Sequence, residues 1–289
     1  MAVLTEISTA KLTPQSFRRF AEFITSELGI KMSEQKIPML QGRLQRRLRA
    51  LNLPSLEAYQ TYLFDSANAG TELAQFIDAV TTNKTDFLRE PKHFDYLVEQ
   101  VLPALGPDPK RRLEVKIWCA GCSTGEEPYT LAMVLSEFGE RRGNFDFSIF
   151  CTDVSTRVLL AAQDAVYDEA RIEPVPLEWR RKYLLRSRNE VKRTVRITSE
   201  LRSRVSFARL NFMDHDYRVR EKFDAVFFRN VMIYFDRPTQ EAVVSRLCRN
   251  LNPNGYFFTG HSESLAGLNV PLQAIASAVY RKSHAGNST

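Results

Sequence analysis

Nowhere does an apolar run in this chain approach the ~20 residues that a membrane-spanning helix requires. No membrane insertion is expected. The opening residues, MAVLTEISTAKLTPQSF, lack the basic segment and long apolar core of a signal peptide. Cysteine is scarce, with four in 289 residues, two of them close together and no regular framework, which argues against a disulfide-stapled secreted scaffold. Histidine is equally scarce, and no His/Cys cluster has zinc spacing, so no metal is expected. Neither GxGxxG nor the Gly-Lys-Ser/Thr of a phosphate-binding loop occurs. Internal repeats and low-complexity tracts are absent. Charge is nearly balanced: 40 Lys and Arg against 34 Asp and Glu leave +6, so where the positive charge lies matters more than its sum. A cytoplasmic protein is the default expectation, 44% hydrophobic and long enough for one large core or two smaller ones. A monomer is expected, though no sequence feature decides oligomeric state.

Two compositional regimes divide the chain. From Thr13 to about Phe94 the apolar spacing is helical: Phe17, Phe20, Ile24 and Leu28, stopped by Gly29; then Leu40, Leu44, Leu48 and Leu51; then Leu56, Tyr59 and Leu63; then Leu73, Phe76, Ile77 and Val80. Beyond it, PALGPDPKRR reads as a linker. Strand-like runs then alternate with helical ones, at Val115–Cys119, Phe147–Thr152, Val205–Leu210, Phe223–Phe228, Gly255–Thr259 and Ala278–Arg281, which predicts a parallel sheet with right-handed crossovers. The stretch from Tyr183 to Val205, with Val191, Arg193, Val195 and Ile197 in alternation, predicts a small β insertion.

The stretch VKIWCAGCSTGEEPYTLAMVL, from Val115 to Leu135, carries the most chemistry. Cys119 and Cys122 have dithiol spacing, but Cys119 still belongs to a strand rather than to the helix N-terminus that lowers a thiol pKa. Structural cysteines beside a tight turn are the expectation. Gly121 and Gly125 allow close backbone approach to a ligand, and the helix from about Glu127 offers free N–H groups. The carboxylates of Glu126 and Glu127 repel a triphosphate and suit a ligand with an amino group and a sulfonium. The next strand ends in FCTDVS, placing Asp153 where an acid binds the ribose hydroxyls of a nucleoside cofactor.

With these residues in view, the chain resembles the chemotaxis receptor methyltransferases of the CheR type. The motifs that carry the resemblance are TTNKTDFLREPKHF (Thr81–Phe94), GCSTGEEPYTLA (Gly121–Ala132), CTDVS (Cys151–Ser155), LNFMD (Leu210–Asp214), FFRNVMIYFD (Phe227–Asp236) and LNPNGYFFTGHSESL (Leu251–Leu265). They occur in the family's order and span nearly the whole chain.

The resemblance implies a small all-helical N-terminal domain (1–94), which docks a receptor and supplies part of the cofactor site. It further implies a linker (95–112) and a Rossmann-like class I methyltransferase domain (113–284), of α/β class, with a small antiparallel β subdomain inserted at about 183–205. It also implies S-adenosyl-L-methionine as cofactor, S-adenosyl-L-homocysteine as product, and the side-chain glutamates of chemoreceptor cytoplasmic coiled coils as substrate, making the chain a protein-glutamate O-methyltransferase. Asn83, Thr85 and Arg89 match positions reaching the cofactor, Gly121 lies in its turn, Glu126 matches the acid on the methionyl amino group, and Asp153 the acid on the ribose. Asn211 and Phe212 match the adenine wall, while Arg229 and Asn230 match the wall beside the methyl. Arg89 and Tyr234 are the candidates for orienting the incoming carboxylate, and Arg89 alternatively holds the cofactor's own carboxylate. Taken alone, Asn83 and Thr85 read as helix caps, Tyr234 as a core tyrosine, and Arg229 as an exposed strand-end cation.

Methyl transfer to an already ionised glutamate needs alignment and water exclusion rather than a base. His93, His215, His261 and His284 therefore need no catalytic role. A nucleic-acid methyltransferase with the same cofactor is the competing class, but neither an Asn/Asp-Pro-Pro-aromatic motif nor a Pro-Cys or Thr-Cys pair at a strand end is present, and no nucleic-acid partner is expected. Arg43, Arg46, Arg47 and Arg49, with no acid between Lys36 and Asn52, predict a basic face for an acidic receptor bundle. The β insertion has no glycine between Leu184 and Ile197, so its turn falls on Asn189, and independence of a receptor's C-terminal tether peptide is expected.

Overall fold

A computed structural model describes residues 11–65, 69–189 and 191–283. His284, to which the sequence assigned no role, lies outside them. The chain divides into two compact units, one of residues 1–82 with 234–236, the other of residues 83–233 with 237–289.

The first unit is helical: α1 (Pro14–Leu28), α2 (Ile37–Leu51), α3 (Leu56–Phe64) and α4 (Ala69–Val80). Thr13 caps α1 by accepting the Ser16 N–H, and Gly29 ends it at φ 67°, the left-handed conformation that favours glycine. The helical spacing read from the sequence becomes the core. Phe17, Phe20, Ile24 and Leu28 are buried, and the Phe20 ring stacks on Tyr59 and Phe76 at 6.2 and 6.0 Å.

In the second unit, the segment expected as a linker is helical as far as Leu105. It comprises α5 (Lys92–Tyr96), a π-helical turn (Leu97–Val101) and α6 (Leu102–Leu105). Phe94, Leu97, Val101 and Leu102 are buried at helical spacing. The breaker Pro103 follows directly on the π-helical turn, and the helical stretch ends two residues later at Leu105. Residues 83–94, assigned to the helical domain from the sequence, also belong to this second unit.

The rest of the unit runs β1 (Leu113–Ala120), α7 (Glu126–Arg142), β2 (Phe145–Asp153), α8 (Thr156–Asp164), β3 (Val166–Asp168), α9 (Leu177–Tyr183), β4 (Leu184–Arg186), β5 (Thr194–Ile197), α10 (Ser199–Arg202), β6 (Val205–Arg209), β7 (Phe223–Phe227), α11 (Arg237–Arg249), β8 (Leu251–Phe258), β9 (Leu272–Ala276) and β10 (Val279–Lys282). Seven strands form one sheet in the order β6-β2-β1-β7-β8-β10-β9. Pairing is parallel from β6 to β8, and β10 is antiparallel to both β8 and β9, so the last strand departs from the all-parallel expectation. The carboxyl-terminal halves of the central strands, Ile117–Ala120 and Ala225–Phe227, are continuously buried and apolar because both faces of the sheet are covered there. Strand β9 escaped sequence reading because it is an edge strand with no buried residue and no apolar alternation.

The β insertion is real but wider than expected. It is a separate antiparallel sheet of order β3-β5-β4, and β3 comes from before the segment read as the insertion. Val195 and Ile197 are its buried pair, while Val191 is 93% exposed and lies outside the strands.

Candidate cofactor and active site

The chain lays β2 and β6 to one side of β1 and β7 and β8 to the other, which makes the carboxyl ends of β1 and β7 the crevice where open α/β sheets hold ligands. The turn after β1 is built for that place. Gly121, Ser123 and Gly125 all have left-handed backbones, at φ 85°, 50° and 96°. The N–H groups of Gly121 and Cys122 both donate to Thr152 O at the end of β2, at 2.7 and 3.0 Å. A side chain at Gly121 would meet Val231 Cγ2 at 2.6 Å, and one at Gly125 would meet the Tyr167 hydroxyl at 2.7 Å. Both glycines are thus required by the protein's own packing, in addition to any ligand.

Asp153, at the end of β2, is buried and clamps this turn: Oδ2 accepts the Ser123 N–H at 2.9 Å and Oδ1 the Ser155 N–H at 3.0 Å. Ser123 Oγ donates to Asn83 O at 2.9 Å, which ties residue 83 to the same loop. Leu210 N donates to Asp153 O, so Asn211 and Phe212 follow directly beside the acid. Asn211 Oδ1 accepts the Met213 N–H at 3.0 Å, and buried Phe212 packs edge-on against Phe228 with centroids 5.1 Å apart. Its ring edge faces Gly121, 3.9 Å from where a side chain there would begin.

Glu126 opens α7 with its side chain fully buried. Thr124 Oγ1 donates to Oε2 at 2.6 Å, and Arg171 Nη2 lies 2.5 Å from Oε1 in an ion pair poorly angled for a hydrogen bond. Burial holds the Glu126 carboxyl above the usual carboxylate range, opposed by Thr124 and Arg171. Arg171 also donates to Thr85 O at 3.0 Å. This arginine was not singled out from the sequence. No local pattern marks it, because it lies 45 positions from Glu126 and is aimed there by the turn after β3.

Arg229 is not the exposed strand-end cation that it reads as when taken alone. Its guanidinium is fully buried and donates to Glu127 Oε2 at 2.6 Å, to Glu90 Oε2 at 3.0 Å and to Arg89 O. It is a strut between three chain segments, and its Nε has no hydrogen-bond partner among the described residues. Asn230, at φ 59°, donates its N–H to buried Glu263 at 2.8 Å and its Nδ2 to Glu90 Oε1 at 3.4 Å. Arg89 is half-buried, with Nη1 donating to Lys84 O at 3.2 Å.

The dithiol reading finds no support in the geometry. All four cysteines are free and buried, and burial pushes the thiols of Cys119, Cys122, Cys151 and Cys248 upward, away from the reactive thiolate. Cys119 Sγ donates to Glu127 Oε1 at 3.2 Å.

The second unit thus brings together Asn83, Thr85, Gly121, Glu126, Asp153, Asn211 and Phe212 around one turn, with Arg89, Arg229 and Asn230 linked through Glu90. Tyr234 and the four arginines of α2 belong to the first unit.

Residues 83–281 match the family model described as "CheR methyltransferase, SAM binding domain", and residues 15–81 match "CheR methyltransferase, all-alpha domain". The chain belongs to the CheR methyltransferase family. Among CheR relatives, "Chemotaxis protein methyltransferase" of Borreliella burgdorferi is 36% identical over 94% of this chain and 95% of its own. "Chemotaxis protein methyltransferase 2" of Pseudomonas aeruginosa is 36% identical over 93% of each. The Escherichia coli "Chemotaxis protein methyltransferase" is 36% identical over 89% of this chain and 87% of its own. A solved structure of PKMT2 from Rickettsia typhi in complex with AdoHcy shares 16% identity over 62% of this chain and 26% of that one at a TM-score of 0.34, a likeness too slight to bear on the site. This CheR chain is a methyltransferase that uses S-adenosylmethionine, and its buried donor set suits that molecule: a carboxylate at the α7 start for an ammonium, and another at the β2 end for ribose hydroxyls. No described helix is long and apolar enough to cross a membrane.

Proposed function

We propose that this CheR methyltransferase esterifies glutamate side chains on the cytoplasmic coiled coils of chemoreceptors, as a cytoplasmic protein-glutamate O-methyltransferase. The observation that carries the reading is the buried pair Glu126 and Asp153, held at the two ends of one turn within a SAM-binding domain whose relatives bear the chemotaxis name. When bound, S-adenosylmethionine supplies a methyl group on an electron-poor sulfonium. Glu126 binds the amino group, Asp153 the ribose, and Asn211 with Phe212 the adenine. The Gly121 turn holds these groups in register.

The nucleophile is a glutamate oxygen of the substrate, ionised at neutral pH, so no side chain has to take a proton. Burial, then the charge of Arg229, holds His93 at about 4, so it is neutral at pH 7 and unsuited to acid catalysis. The work of the site is alignment and exclusion of water. Arg89 and Tyr234 orient the incoming carboxylate. Receptor docking falls to the exposed part of the α2 basic face, Arg46 and Arg49. The protein acts as a monomer and without a tether peptide.

Incubating the protein with methyl-labelled S-adenosylmethionine and receptor-containing membranes, then treating the protein fraction with mild base, tests the reading. Labelled methanol is the expected product. Label that survives base, or that partitions with nucleic acid, overturns it.

A further inference from the structure

A second polar cluster lies beside the Arg229 strut and has no part in the reaction above. The segment Leu88 to Glu90 is strained: Leu88 and Glu90 both adopt left-handed backbones, at φ 53° and 56°, although neither is glycine. The strain turns the Glu90 carboxylate toward two histidines. His93 Nδ1 is 3.5 Å from Glu90 Oε2, and His261 Nε2 is 4.0 Å from the same oxygen. The imidazoles stack at 4.6 Å between centroids, and one ligand atom from each of the three residues lies within 4.8 Å of the others. His93 is only 2% exposed, yet neither of its ring nitrogens has a hydrogen-bond partner among the described residues. A buried imidazole with two unsatisfied nitrogens costs about 1–3 kcal/mol per group, so the fold maintains an expensive arrangement.

We propose that Glu90, His93 and His261 form a binding site for a late first-row divalent cation, zinc being the first choice. Two imidazoles and one carboxylate are the donor set that zinc accepts with a fourth position left open. Ligands at ~2.1 Å on a tetrahedral centre stand about 3.4 Å apart, so the Glu90–His93 spacing already fits and His261 has to close by less than its own reach. His261 is 42% exposed, which gives the ion a route from solvent. Hard ions such as magnesium are disfavoured, because they demand oxygen ligands and the cluster supplies mostly imidazole.

Arg229 is the argument against a cation here, and its surroundings answer it. The nearby charges are Glu90, Glu127 and Arg229, which sum to one negative charge, and Arg229 already has Glu127 at 2.6 Å. Glu90 Oε2 takes Arg229 at 3.0 Å and shares the His261 backbone N–H with Oε1 at 3.3 Å, while Asn230 Nδ2 donates to Oε1 at 3.4 Å. Moving the shared N–H wholly onto Oε1 keeps Arg229 in place and frees one Oε2 lone pair for the ion. Local spacing could not show this set, since Glu90 and His261 stand 171 positions apart.

The test is a zinc titration of the chelator-treated full chain against a competing chromophoric chelator, with the unfolding temperature measured beside it. Wild type should take up about one equivalent and gain unfolding temperature with zinc, since a ligand of the folded state stabilises it. His261→Ala alters an exposed side chain, so the fold survives. It should lose zinc affinity by more than the about 10–100-fold that removal of an outer supporting partner costs, and lose the thermal gain. His215→Ala, outside the cluster, should behave as wild type. Cobalt added to wild type should show the visible absorption of imidazole-ligated Co2+, and His261→Ala should not. No stoichiometric uptake by wild type, or equal uptake by His261→Ala, overturns the assignment.

Discussion

On the proposed reading Asp153 has two duties, the turn and the ribose, and this shapes how its substitutions read out. Its carboxylate oxygens hold the Ser123 and Ser155 N–H groups before any cofactor arrives. Asp153→Asn keeps one acceptor for the two N–H groups and loses a charge-assisted bond to ribose. Its affinity for S-adenosylmethionine should fall by about 1.5–3 kcal/mol, measured by titration calorimetry, and Asp153→Ala should fall further as the turn loosens. Unchanged affinity in both variants would remove Asp153 from the ribose. Arg171 governs Glu126 in a different way. Burial raises the Glu126 carboxyl and Arg171 opposes that rise, so removing the arginine pushes it higher still. Arg171→Ala should therefore need a higher pH to ionise Glu126, and its cofactor affinity should decline earlier than the wild type's as pH is lowered from neutral. Superimposable pH profiles of binding would show that Glu126 does not meet the amino group.

At the scale of elements, α2 shows what a basic stretch becomes once folded. The sequence holds no acid between Lys36 and Asn52, but α4 supplies one: Glu72 accepts from Arg47 Nε at 2.9 Å and from Nη2 at 2.7 Å, and Tyr59 Oη donates to it at 2.7 Å. Arg43 is likewise engaged, with Val80 O and with Thr82 Oγ1 at 2.8 Å. Reversing Arg47 leaves Glu72 beside a like charge in a buried place, so Arg47→Glu should destabilise the protein by about 3 kcal/mol or more in urea unfolding. Arg46→Glu with Arg49→Glu, both exposed, should leave stability within about 0.5 kcal/mol and slow receptor methylation, with less dependence on salt than wild type. Full methylation by that double variant would place the docking face elsewhere. The strand-turn-helix of β1 and α7 makes a complementary case. Its cysteines have dithiol spacing but lie in the core, so all four thiols should resist alkylation in the native protein and react on unfolding. Cys119→Ala with Cys122→Ala should retain methyl transfer.

For the whole molecule, the dependence of stability on pH should show His93. Its folded value near 4 lies below the ordinary 6.5, so the unfolded chain binds a proton that the folded one refuses between those limits. The stabilisation is complete above about 6.5 and is lost as pH falls toward 4, a loss on the order of 3 kcal/mol. Urea unfolding of wild type and His93→Gln, in chelator, should show the decline in the first and a shallower one in the second. What the sequence determined by itself was periodic. The 3.6-residue spacing from Phe17 to Val80 fixed the helices, the short apolar-rich runs fixed the buried parallel strands, and the order of short motifs fixed the family, because burial on one face or on both is written locally in residue type. Strand β9, the short β3 and the helix beginning at Lys92 were missed where the element is exposed, brief or interrupted by Pro103. Charge partners lay beyond reach altogether. Arg229 meets Glu127 and Glu90 across 102 and 139 positions, and Arg171 meets Glu126 across two helices and two strands. An ion pair depends on where two side chains end in space, and only the folded sheet, by bringing the ends of β1, β2 and β7 together, decided which carboxylate met which cation.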